Sequence, residues 1–183
     1  MSTTVISGLK DYYSQQVVPE LKKIQGYKNI HQVPKLEKVV VNSRINAGDD
    51  KACVEQLTKD IGLITGQKPI VRKAKKSVSN FKLRQGMPVG VQVTLRGARM
   101  YDFLFRLIHI VFPAVLDFRG VSRRMDKGGN LNIGITDYSV FPEIQVQSTV
   151  KKSRGLDIAI VTSTPQNKEA FLLLETLGIA FRK

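Results

Sequence analysis

Between Pro88 and Gly97 the chain alternates without a break, with Val89, Val91, Val93 and Leu95 on one side and Gly90, Gln92, Thr94 and Arg96 on the other. Successive side chains of a strand point to opposite faces of a sheet, so this pattern buries one face and leaves the other wet. A strand covered on both faces would be apolar throughout. The alternation therefore demands a sheet with an oily side under helices and a polar side left open.

The rest of the chain supplies those helices. Leu9, Tyr13, Val17, Leu21 and Ile24 recur at near-helical spacing and predict an amphipathic N-terminal helix, which Pro19 should kink or divide. Lys35 to Asn42 reads as a strand, with Glu37, Val39 and Val41 on one face and Lys38, Val40 and Asn42 on the other. Asp49 or Asp50 can cap a helix carrying Val54, Leu57, Ile61 and Ile64, and Gly66 is placed to end it. A third helix is expected from about Ala98 to Phe112, with Tyr101, Leu104, Ile108 and Val111 in register and Pro113 stopping it. The Arg- and Gly-rich stretch Asp117 to Asn130 reads as a loop, and Leu131 to Ile135 and Leu156 to Ser163 read as short strands. Thr164-Pro165 should open a last helix that turns Ala170, Leu173, Leu174 and Leu177 inward before Gly178. Without an internal repeat or linker, the expectation is one domain over residues 1–183, of α+β class, with a mostly antiparallel sheet, helices packed on one face and a polar face on the other.

Charge narrows the function. The 183 residues carry 29 Lys and Arg against 15 Asp and Glu, a formal charge of +14. Such an excess opposes compaction and is tolerated where a polyanion neutralises it. The excess is concentrated. Between Asp60 and Asp102 no acidic residue occurs, while Lys68, Arg72, Lys73, Lys75, Lys76, Lys82, Arg84, Arg96 and Arg99 are cationic. An ordinary solvated face mixes signs to lower self-repulsion, and this window is of one sign.

Its middle, from Lys73 to Gly86, mixes cations with Ser77, Asn80 and Phe81, a texture suited to phosphate, 2′-hydroxyl and base stacking. Val78, Phe81 and Leu83 show no sustained period, so a long basic loop projecting from the sheet between two strands is expected. On the polar sheet face, Gln92, Thr94 and Arg96 stand together, Asn42 faces the same way from its own strand, and Gln67 sits at the adjacent helix exit. Amides, a hydroxyl and a guanidinium fit RNA backbone and groove edges better than an oily ligand.

Other classes fare poorly. Membrane binding would need a basic helix with a broad apolar face, whereas this window holds Gly, Pro and isolated apolar residues. The apolar run Leu107 to Leu116, broken by His109 and Pro113, is far short of a membrane span, and the N-terminus has no apolar signal core. Cys53 is the single cysteine and reads as a small buried hydrophobe. With only His31 and His109 besides, no zinc site, cofactor or catalytic constellation is expected. Gly128-Gly129 reads as a turn, and Asp49-Asp50 as a helix cap rather than an acid and base pair.

The blocks Gly66-Gln-Lys-Pro69, Lys73-Ala-Lys-Lys-Ser-Val78, Phe81-Lys-Leu-Arg-Gln-Gly86, Pro88-Val-Gly90 and Val93-Thr-Leu-Arg-Gly97 resemble the bacterial large-subunit ribosomal protein five family, the 5S rRNA-binding ribosomal proteins. Asp117-Phe-Arg-Gly120, Phe141-Pro-Glu-Ile144, Arg154-Gly-Leu-Asp-Ile158 and Phe181-Arg-Lys183 extend the resemblance in order over almost the whole chain. One departure is Ser43-Arg-Ile-Asn-Ala-Gly48, where the family usually has Met and a Gly-rich turn. The resemblance implies a ribosome-bound, cytoplasmic protein, or an organellar one. It holds 5S rRNA in the central protuberance beside 23S-type rRNA and neighbouring large-subunit proteins. Asn42, Gln67 and Thr94 match family residues at the 5S rRNA interface, and the loop Lys73 to Arg84 matches one that approaches the elbow of P-site tRNA. The segment around Phe141-Pro142-Glu143 would lie near a protein of the small-subunit head. The alternative is a free-standing basic RNA-binding protein without 5S rRNA specificity.

Overall fold

A computed structural model of the protein describes residues 8–46, 50–116, 118–145 and 154–182. Five strands, β1 (Leu36–Arg44), β2 (Ile70–Lys73), β3 (Pro88–Leu95), β4 (Leu131–Ile135) and β5 (Leu156–Thr162), form an antiparallel sheet of order β2-β3-β1-β5-β4. The helices are α1 (residues 9–25), α2 (Lys51–Thr65), α3 (residues 97–114), the short α4 (Pro142–Gln145) and α5 (Asn167–Thr176). The class is α+β, as the alternating strands and periodic helices require. Two compact units result, one of Met1–Val39, Arg96–Ile133 and Ala159–Lys183, the other of Val40–Leu95 and Gly134–Ile158.

In the first unit α1 packs against α3, and Leu9, Val17, Leu21, Phe103, Leu104 and Leu107 are buried. Ala170, Leu173, Leu174 and Leu177 of the C-terminal segment are buried as the spacing predicts. Thr164 assists the start of α5 from outside it, where its hydroxyl donates to Glu169 Oε2 at 2.8 Å and accepts from the Gln166 N–H at 3.2 Å.

Both prolines act close to where the sequence places them: a π turn just before Pro19 divides the α-helical bonding of α1, and α3 ends at Ala114, one residue past Pro113. The helix α1 is α-helical over Leu9–Tyr12 and Val18–Gln25, with a π turn over Tyr13–Val17 in which the Val18 N–H bonds to the Tyr13 carbonyl. In α3 a second π turn, Leu107–Val111, precedes Pro113, the Phe112 N–H bonding to the Leu107 carbonyl. A proline ring clashes with the carbonyl four residues back; a wider turn at that point relieves the clash and lets the helix continue. The same turn explains the spacing of the buried residues. Steps of four drift around a regular α-helix, and one π turn takes up the drift that Leu9, Val17 and Leu21 would accumulate. Ile24, three residues on, turns away and is 55% exposed, contrary to its expected place on the buried face.

In the second unit α2 packs against β3. Leu57, Ile61 and Ile64 meet Val91, Val93 and Leu95 as the buried layer, while Gly66 ends the helix in the left-handed conformation (φ 65°). Asp50 occupies the N-cap position without a side-chain hydrogen bond, and Asp49 lies outside the described residues. One acid is embedded in this layer. Asp60 is only 3% exposed, and its carboxylate accepts from Tyr138 Oη at 2.9 Å and Gln56 Nε2 at 2.8 Å. Ser43, in the segment that departs from the family pattern, is fully buried and its hydroxyl donates to the Gly155 carbonyl at 2.8 Å.

Candidate nucleic-acid interface

The open side of the second unit is built from alternate residues of β1, β2 and β3. Along β3, Val91, Val93 and Leu95 are buried while Gln92 and Thr94 are half-buried on the opposite face. β1 repeats the arrangement, with Val39, Val41 and Ser43 buried and Val40 and Asn42 half-exposed. β2 runs antiparallel to β3, pairing Ile70 with Gln92 and Arg72 with Gly90, so those side chains join the same face. A four-residue strand has too few alternations to be located from its sequence, so β2 emerges only with its partner.

The polar groups on this face are held by one another. Gln67 Nε2 donates to the Thr94 carbonyl at 3.1 Å, fixing the helix exit to the strand. Thr65 Oγ1, buried behind it, lies 2.6 Å from the Ile61 carbonyl and 3.2 Å from the Gln67 carbonyl, which braces the turn. Arg72 Nε donates to Gln92 Oε1 at 2.7 Å. That bond leaves the terminal guanidinium nitrogens and the Gln92 amide nitrogen as outward donors. Asn42 Oδ1 lies over Gly90, where a Cβ would come within 3.5 Å of it and 3.1 Å of the Ser43 carbonyl. Gly90 is thus the small residue that makes room for the Asn42 amide.

Four of the five expected platform residues, Asn42, Gln67, Gln92 and Thr94, are therefore brought onto or beside one face of one unit. Arg96 keeps an extended backbone and is exposed, but it lies one residue past the end of β3, precedes α3 and belongs to the first unit. Arg72 and Ile70, which sequence reasoning did not place on the platform, lie on it, Ile70 with 61% of its surface exposed. Only the β2–β3 register reveals them.

The expected projecting loop is an ordered finger. A register shift between Arg72 and Lys73 marks its base. Ala74 and Met87 are joined at 2.8 Å, and Val78 and Leu83 exchange two backbone hydrogen bonds of 2.9 and 3.1 Å. A 3₁₀ turn, Ser79–Phe81, closes the tip, with Lys82 at φ 51° completing it. Lys73, Lys75, Lys76, Ser77, Asn80, Lys82 and Arg84 are all exposed, and Phe81 at the tip is 64% exposed. Ser77 differs from the rest in that its hydroxyl accepts from the Gln85 N–H at 3.0 Å, giving it a part in holding the finger.

Cys53 is half-buried, with Arg154 Nη2 at 3.5 Å from its sulfur, a neighbour 101 residues away that local sequence could not supply. Among the described residues no cluster of His, Cys, Asp or Glu could hold a metal ion, and no helix is long and apolar enough to cross a membrane.

Comparison with known proteins places the chain in a family. The profile described as "Ribosomal protein L5" matches residues 29–84, and the profile of the C-terminus of the same ribosomal family matches residues 88–181. The large ribosomal subunit protein uL5 of Thermotoga maritima is 49% identical over 177 residues, covering 96% of each chain. That of Thermosipho africanus is 49% identical over 96% of this chain and 97% of its own. The uL5 protein of Caldanaerobacter subterraneus subsp. tengcongensis is 48% identical over 97% of this chain and 100% of its own. With both profiles in sequence order and relatives of matching length, the chain belongs to the ribosomal protein L5 family, a family of structural, non-enzymatic ribosome components.

Proposed function

We propose that this chain acts as a single rRNA-binding domain, residues 1–183, of the large ribosomal subunit, bound to ribosomes in the cytoplasm, and that it holds 5S rRNA through the open face of β1, β2 and β3. The observation that carries the reading is that the Gln67 side chain is fixed on the Thr94 main-chain carbonyl and that of Arg72 on Gln92, with Asn42 Oδ1 close over Gly90. Side chains already held in place lose little entropy on binding, so they distinguish one RNA surface from another rather than merely attract phosphate. Asn42, Gln67, Gln92 and Thr94 form the platform, and Arg96 adds a charge beyond the strand's end. The direct test compares 5S rRNA with an unrelated structured RNA of equal length at near-physiological salt. Preference for 5S rRNA is expected; equal affinity would leave a generic basic RNA binder without 5S rRNA specificity.

The finger has a different task in this proposal. Lys73, Lys75, Lys76, Lys82 and Arg84, with Ser77 and Asn80, reach the elbow of tRNA in the peptidyl site, where exposed cations meet backbone and the Phe81 ring can stack. The segment led by exposed Pro142 lies near a protein of the small-subunit head and helps bridge the subunits. The remaining partners are 23S-type rRNA and neighbouring large-subunit proteins in the central protuberance.

A further inference from the structure

A second basic cluster lies wholly within the first unit. Between Phe118 and Asn130 the chain has Arg119, Arg123, Arg124 and Lys127 against one acid, Asp126. All four cations are exposed. The segment lacks regular secondary structure, yet it is stitched to the C-terminus: the Val121 N–H donates to the Ala180 carbonyl at 2.8 Å and the Arg182 N–H to the Val121 carbonyl at 2.9 Å. Gly120 makes the approach possible, since at φ 88° a Cβ there would stand 2.6 Å from the Arg182 nitrogen. Exposed Arg182 is thereby added to the cluster from 55 to 63 residues away in sequence.

The cluster is supported from beneath and left uncompensated above. The Arg123 guanidinium lies 5.7 Å from the centre of the Phe171 ring, which itself packs on Phe181 at 4.4 Å between centroids. Val121 is buried and anchors the segment. Asp126 is occupied with its own turn, accepting from the Gly128 N–H at 2.9 Å and from the Asn130 N–H and Nδ2 at 2.8 Å each. These bonds hold its carboxyl below the usual range, the Asn130 side chain contributing most. Among the described residues, no ion pair joins Arg119, Arg124 or Arg182 to a carboxylate.

We propose that Arg119, Arg123, Arg124 and Arg182 form a second RNA-backbone site, which takes up large-subunit rRNA while the platform holds 5S rRNA. Guanidinium forks bind phosphate oxygens in pairs, and an aromatic support lets one of them stay oriented without a carboxylate partner. The proposal rests on the ribosomal reading above and adds a site to it.

The test uses the full chain. R119Q/R124Q/R182Q is compared with K22Q/K23Q/K28Q, which removes equal charge from exposed lysines of the same unit. Affinities for 5S rRNA and for protein-free large-subunit rRNA are measured over a series of salt concentrations. The arginine variant should lose about tenfold or more for large-subunit rRNA, with a log–log salt slope shallower by about two, and keep its 5S rRNA affinity. Gly120→Val, which changes no charge, should weaken the same binding by spreading the stitch while circular dichroism stays native. A loss no greater than that of the lysine control overturns the site. An equal loss for both RNAs also overturns it, assigning the arginines to general attraction. If the unaltered chain fails to prefer 5S rRNA, the platform reading fails, and the arginine-dependent binding of large-subunit rRNA is still scored separately.

Discussion

At the scale of single residues, two side chains set conditions that their neighbours exploit. Gly90 leaves the space that Asn42 fills, and its alternation with Val89 and Val91 was legible in the sequence even though its reason was not. Gly90→Val would press branched carbons against the Ser43 carbonyl and Asn42 Oδ1. The Ser43 carbonyl is backbone, so β1 must give by a few tenths of an ångström, and 5S rRNA affinity should fall by about 1–3 kcal/mol as the Asn42 amide is displaced. Filter-binding titration checks this, and unaltered affinity would remove Asn42 from the platform. Tyr138 is the counterpart in the core. Burial chiefly, and then its hydrogen bond to Asp60, raises its phenol above the ordinary value, and burial, with Tyr13 nearby, pushes Tyr101 up to about 12. Both keep their protons in the folded state after the unfolded chain has begun to lose them near pH ~10. Their contribution to stability is therefore complete below pH ~10 and is lost as pH rises through the folded values. Tyr138→Phe should cost about 1–3 kcal/mol at neutral pH by leaving Asp60 short of a donor, and should flatten the alkaline decline. Thermal unfolding followed from neutral to strongly alkaline pH would show both effects, and an unaltered alkaline limb would disprove the assignment.

At the scale of elements, legibility followed the number of alternations or turns that an element contains. β3, with eight residues, declared both its faces, and α2 declared its buried stripe and its glycine stop. β2 has four residues and could not. The two prolines show a different case. Sequence rules place the interruption at the proline itself, whereas the irregular hydrogen bonding lies in a π turn just upstream that relieves the ring's clash. The basic loop shows a third case. Its cations and hydroxyls were visible, but the Ala74–Met87 and Val78–Leu83 pairing that turns it into a finger has no periodic signature in so short a ribbon. That independence gives a prediction. Replacing Lys73, Lys75, Lys76 and Lys82 with Ala leaves every backbone pair of the finger intact and none of the platform bonds involved. Binding of 5S rRNA should be largely preserved, while ribosomes carrying the variant should retain peptidyl-site tRNA less well. Loss of 5S rRNA binding instead would mean that the two surfaces had been assigned the wrong way round.

At the scale of the whole molecule, +14 charges ensure attraction to any RNA but do not choose among them. Attraction of this kind comes from counterion release, so its free energy falls with the logarithm of salt. If about five to eight cations meet phosphates, the log–log slope should lie at about −3.5 to −7. The platform is made differently. Asn42, Gln67, Gln92 and Thr94 are neutral, and hydrogen bonds between neutral groups displace few counterions. Affinity for 5S rRNA should thus contain a constant part that salt does not erode, which lifts its line above that of an unrelated RNA gripped by cations alone and leaves the slope to the number of phosphates met. Raising salt from a low value should weaken both complexes along lines of similar slope, with the preference for 5S rRNA persisting until the weaker complex is lost from measurement. Thr94→Val or Gln67→Ala should lower the 5S rRNA line toward the other without changing its slope, because only the salt-resistant part is weakened. If the offset between the lines survives both substitutions, the arrangement of amides on β1, β3 and the α2 exit does not account for the selectivity.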